Sequence, residues 1–200
     1  MGGTNYVRLP DNLLAVGPDQ ATSTVEMWVS ASIANPFWNG NSPWWPLNMF
    51  FGSLDANNRG YGFAAAYYGP MWGFFIGSTW VSAGEPNGGL WTHLALVRND
   101  AGVVSMFVNG VLAGTTTTNV PAGPIGSSGL LLGNVPQTIN SGLGNFVIAG
   151  VRFWTVDRSA SITPQSFGAP VDPTTGGLAL YLRFASAEAM LTDSSNSNGV

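Results

Sequence analysis

Residues 102–118 read GVVSMFVNGVLAGTTTT. Two apolar, β-branched runs meet at Asn109-Gly110, and both of those residues tolerate the positive φ that a type I′ turn requires. The twist of such a turn matches the twist of the strands it joins, so the stretch predicts a tight antiparallel hairpin over 103–117. Working outward, the rest of the chain follows the same pattern, with short apolar or aromatic runs bounded by turn residues and no sustained helical period. Glycine (27) and proline (13) make up a fifth of the 200 residues, against a usual share of about 12%. Strands are predicted near 4–9, 23–32, 47–54, 61–68, 71–79, 90–98, 103–108, 111–117, 129–134, 145–155 and 178–184. One short helical turn is predicted over 159–167, because Ser159 and Ser161 can cap and Pro164 suits a first turn. Many short strands at close spacing predict an all-β chain, an antiparallel β-sandwich or jelly roll forming a single domain over 1–200.

Composition narrows the function classes. Only 8% of residues are charged, where about 25% is usual for soluble domains. The basic residues are all arginine (Arg8, Arg59, Arg98, Arg152, Arg158, Arg183), scattered along a chain of net charge -4. Nucleic-acid binding needs clustered cations to displace counterions, so it is not expected. Cysteine is absent, which excludes disulfides and thiolate metal sites. The first residues lack the basic start and apolar stretch of a signal peptide. The uncharged window 60–84 is broken by Gly62, Gly69, Pro70, Gly73 and Gly77, which predicts a strand pair turning at Gly69-Pro70 and no membrane insertion. A surface of Ser, Thr, Asn and Gly with little charge suits a crowded assembly or an extracellular setting.

Several segments, in order along nearly the whole chain, carry a resemblance. They are GGTNYVRLP (2–10), STVEMWVSAS (23–32), GLWTHLALVRNDAGVVSMFVNGVLAG (89–114), LLLGN (130–134), FVIAGVRFWTVDRSASI (146–162), GLALYLRF (177–184) and DSSNSNG (193–199). Together they resemble a laminin-G-like jelly roll of the concanavalin A-like lectin/glucanase superfamily. The resemblance implies a β-sandwich, a carbohydrate-binding or adhesion role, and in many relatives a calcium ion.

Catalysis is not expected. Glycoside hydrolysis needs two carboxylates facing each other across a sugar bond, and the acids of this chain are isolated in sequence. Glu26, in VEMWV, reads as a solvent-facing or edge-pairing strand residue, since unpaired glutamates are rarely buried. His93, the sole histidine, alternates with Trp91 and Ala95 and reads as a packing residue, with no activated nucleophile in view. For calcium, Asp55-Ala56-Asn57-Asn58-Arg59-Gly60 lacks the final glutamate of an EF-hand and reads as a polar turn. Asp193, in the oxygen-rich DSSNSNG, is the best candidate metal ligand.

The aromatics divide into two sets. Trp28, Phe51, Phe63, Trp72, Phe74, Trp91, Phe107, Phe146, Phe153 and Phe184 fall in predicted strands and read as core. Residues 35–51, NPFWNGNSPWWPLNMFF, differ: Trp38, Trp44 and Trp45 lie among Pro36, Gly40, Pro43 and Pro46, on a loop. They could fold back as a lid, stack on a sugar with Asn39, Asn41 and Asn48 as hydrogen-bonding groups, or bury themselves in a neighbouring subunit. The expected function is therefore a non-catalytic contact module. The leading expectation is a homo-oligomeric surface subunit of a phage or virus particle, with other subunits and cell-surface glycans as its partners. The alternative is a lectin-like, carbohydrate-binding adhesion domain of a secreted or cell-surface protein, with glycoside hydrolase a distant third.

Overall fold

The structure is a computed structural model that describes residues 6–10, 22–31, 48–54, 60–65, 72–77, 79–84, 90–117, 130–133 and 146–184. The chain divides into two compact units interleaved in sequence. One comprises Met1–Asp11, Ser30–Leu90 and Pro124–Val147, and the other Asn12–Val29, Trp91–Gly123 and Ile148–Val200. The architecture is antiparallel β, the class expected of a concanavalin A-like β-sandwich.

In chain order the strands are β1 (Tyr6–Arg8), β2 (Ser23–Ala31), β3 (Asn48–Leu54), β4 (Gly60–Ala65), β5 (Trp72–Gly77), β6 (Thr79–Ser82), β7 (Trp91–Arg98), β8 (Val103–Val108), β9 (Val111–Thr117), β10 (Leu131–Gly133), β11 (Phe146–Trp154) and β12 (Leu178–Leu182). The first sheet runs β1-β10-β3-β4-β5-β6 and the second β12-β11-β2-β7-β8-β9. The hairpin predicted around Asn109-Gly110 is present: Val108 and Val111 are register partners, and both turn residues have positive φ, 50° and 78°. The uncharged window contains the expected strand pair, β4 and β5, with Ala65 opposite Trp72, and then β6; the turn predicted at Gly69-Pro70 falls outside the described residues. Among the described residues no helix is long and apolar enough to cross a membrane.

Some details differ from the sequence reading. The run predicted as one strand over 71–79 is two strands, because Ile76 turns back onto Thr79. The helical turn is shorter than predicted, a 3-10 turn of three residues, Ser159–Ser161, whose N-cap is Arg158. Asp157, not a serine, accepts the Ser159 N–H at 2.7 Å. A separate turn comes next in the chain, in which the Ser166 and Phe167 N–H groups both donate to the Thr163 carbonyl at 3.0 Å.

In the second sheet, side chains alternate across the strands. Val25, Met27, Val29, Leu94, Leu96, Val104, Met106, Val151 and Phe153 are completely or almost completely buried on one face. On the other face lie Glu26, Trp28, His93, Ala95, Val97, Arg152 and Trp154, and there Ala95, Val97 and Phe107 pack against Ile162 from the 3-10 region. The seven residues from Thr92 to Arg98 are consequently all buried, as in a strand covered on both faces. Trp91, read as core, is instead 49% exposed, because it starts the strand ahead of this cover.

Candidate functional site

The residues that the sequence nominated for contact, Trp38, Trp44, Trp45, Asn39 and Asn41, lie outside the described residues, as do Asp193 and residues 55–59. Among the described residues no group of three or more histidines and carboxylates could hold a metal ion.

What the structure does assemble is a buried charged cluster that sequence reading missed. Glu26, in the middle of β2, is 3% exposed, so the solvent-facing reading is corrected: β2 lies between β11 and β7 and is not an edge. Its Oε2 accepts from His93 Nε2 at 3.3 Å and lies 3.5 Å from Arg152 Nη1. Its Oε1 lies 3.1 Å from Arg158 Nε, an ion-pair approach whose angle does not make a hydrogen bond. Each cation is positioned by a second contact. Arg152 Nη2 donates to the Tyr181 hydroxyl at 3.3 Å and to the Ala169 carbonyl at 3.4 Å, while Arg158 lies 3.8 Å above the Trp154 ring. His93 is ringed by Trp28 and Phe167, each with its centroid 5.4 Å away.

Burial pushes the Glu26 carboxyl up, but the His93 contact and the charges of Arg158 and Arg152 outweigh it and hold it below the usual 4.5. Glu26 is therefore a sealed, ionised carboxylate enclosed by cations. The other acids among the described residues are Asp100, Asp157 and Asp172, all exposed. Asp157 caps Ser159, and Asp172 accepts from the Thr174 N–H and hydroxyl at 2.8 and 2.7 Å, contacts that lower its own carboxyl. The cluster acts as a clamp that fastens the segment after β11 to the sheet. Thr24 adds to it, its hydroxyl donating to the Val156 carbonyl at 2.8 Å and accepting the Arg158 N–H at 3.1 Å.

Surface apolar groups sit elsewhere. Besides Trp91, β9 exposes Val111 and Leu112, 56% and 55%, and none of its seven residues is buried or charged.

Residues 1–161 match a laminin-G-like profile described as the concanavalin A-like lectin/glucanases superfamily. No curated protein sequence matches the chain. Among solved structures, the fold is similar to that of a Bacteroides ovatus protein assigned provisionally to carbohydrate binding, with TM-score 0.65 and 19% identity over 89% of this chain and 48% of that one. It is also similar to domain 4 of AbnA, an extracellular arabinanase of Geobacillus stearothermophilus, solved with arabinotriose (TM-score 0.50, 22% identity, 81% of this chain and 70% of that one). A third is the binding domain of botulinum neurotoxin serotype D (TM-score 0.52, 13% identity, 81% and 39%). The chain spans about half the length of the first of these, and identities this low speak to fold alone.

Proposed function

Because the chain belongs to the concanavalin A-like lectin/glucanases superfamily, we propose that it is a carbohydrate-binding, lectin-like module without catalytic activity of its own. The observation that carries this reading is the match over residues 1–161, together with a fold shared with a domain solved with arabinotriose. The only acid inside a described strand, Glu26, is buried and ion-paired, which supports binding over hydrolysis. Sugar recognition falls to the loop aromatics Trp38, Trp44 and Trp45, with Asn39 and Asn41 as hydrogen-bonding groups, since sugar sites combine an aromatic face with a few placed polar groups. An extracellular setting follows from this role.

A glycan array and calorimetry with arabinotriose test it, using the wild type and the Trp44→Ala/Trp45→Ala double variant. The expected result is binding by the wild type and a loss of at least tenfold in the variant. A wild type that binds no glycan overturns the reading.

The similar structures named above include a domain solved with arabinotriose, so the virion-surface role takes second place. One observation favours it: among the described residues β9 ends its sheet as an exposed, uncharged edge, and such edges invite pairing with another chain. Native mass measurement decides, with an oligomer that Thr115→Lys/Thr117→Lys dissociates supporting assembly and a monomer at all concentrations excluding it.

A further inference from the structure

Arg98 ends β7 and is 7% exposed. It shares a face with Leu94 and Leu96, both fully buried, and its register partner on β8 is Val104, also fully buried. Its stem therefore lies along an apolar floor. The other arginines of this unit have partners: Arg152 and Arg158 reach Glu26, and Arg183 lies 5.2 Å from the Tyr181 ring. Among the described residues no carboxylate pairs with Arg98, and its Nε is shut off from solvent with no acceptor. The turn after β7 does not recruit it, because Asn99 uses its own groups to close that turn, accepting the Val103 N–H on Oδ1 at 2.9 Å and the Gly102 N–H on its carbonyl at 3.0 Å.

A guanidinium is always charged, and burying one without a counter-charge is unfavourable. In a chain of net charge -4, a largely buried cation with no carboxylate partner among the described residues stands out. Its planar donors fit an oxyanion in a bidentate pair, and that pair strengthens where water is excluded. We infer that Arg98 is the recognition residue of an anion subsite, and that the ligand of this chain is an acidic sugar whose carboxylate completes it. This inference rests on the carbohydrate-binding reading and names the substrate class within it. Arg98 lies on a fixed strand beside a closed turn, so the subsite is formed in advance of binding.

The test titrates trigalacturonate, neutral arabinotriose and inorganic phosphate into the full chain labelled with nitrogen-15 at arginine. The readouts are the Arg98 Nε–H resonance, assigned by its absence in Arg98→Met, and affinity by calorimetry. The expected result is a shift of that resonance with trigalacturonate. Arg98→Met should bind trigalacturonate at least tenfold more weakly, with an unchanged or higher melting temperature, because an apolar side chain of similar size removes an uncompensated charge. Arg98→Lys should recover part of the affinity, since an ammonium lacks the fork. An unmoved resonance, or equal affinity in Arg98→Met, overturns the proposal. A shift produced equally by phosphate alone overturns the sugar as the source of the anion. Arabinotriose binding without trigalacturonate binding sinks this inference and leaves the lectin reading standing; a chain that binds neither sinks both.

Discussion

The carboxylate of Glu26 and the guanidinium of Arg158 meet at 3.1 Å, one in the middle of β2 and the other beyond the end of β11. Glu26 is the single negative group facing Arg152 and Arg158 among the described residues. Glu26→Gln keeps the shape and removes the charge, leaving two arginines uncompensated. A loss of about 3–5 kcal/mol is expected, as for other buried pairs broken from one side. Urea unfolding followed by tryptophan fluorescence measures it, and a loss under about 1 kcal/mol would mean that the cluster is not a clamp.

Stability should depend on pH through the same residue. The Glu26 carboxyl is depressed below its usual 4.5 in the folded chain, so the unfolded state takes up the proton first. The contribution is fully present above the unfolded value and is lost as pH falls through the depressed folded one. Melting temperature should therefore decline below about pH 4.5 in the wild type and decline less in Glu26→Gln. Parallel curves for the two proteins would remove Glu26 as the cause.

Gly110 should not tolerate a side chain. It holds φ +78°, and a Cβ there would collide with the backbone of Thr163 and Pro164. Left-handed conformation alone costs about 1–2 kcal/mol outside glycine, and displacing a neighbouring backbone adds to it. Gly110→Ala is expected to lose at least about 2 kcal/mol in denaturant unfolding.

Thr24→Val replaces a buried hydroxyl with a methyl of the same shape. It strands the Val156 carbonyl and the Arg158 N–H together. About 2 kcal/mol should be lost, and amide exchange at Arg158 should accelerate. Unchanged exchange there would show that the hydroxyl does not hold the segment.

Asn109-Gly110 announces its hairpin because the turn needs positive φ at two adjacent residues and few residues supply it. The alternation in WTHLALV likewise places His93 on the face of Ala95. Gly77-Ser78 is a signal the strand prediction passes over: two residues of this kind between apolar runs read as a hairpin connection, and Ile76 and Thr79 on either side of them are register partners. Glu26 is not legible. Its environment consists of Arg152, Arg158 and His93, brought to it by strand neighbours remote in sequence, and a glutamate in a strand reads as exposed unless those neighbours are known. Trp91 misleads in the opposite sense, since a tryptophan in a strand reads as core while exposure depends on where the covering segment ends.

The strand order β11-β2-β7 has a consequence for how the protein is made. Chains emerge from the ribosome at about 5–20 residues per second, and β2 comes out long before either flanking strand. Its carboxylate at Glu26 and its hydroxyl at Thr24 stay in water until residues 91–98 and then 146–158 are available. Sheets closed by remote segments form slowly, so this unit cannot close until residues 146–158 are made, and the nascent β2 is the segment a chaperone would have to shield.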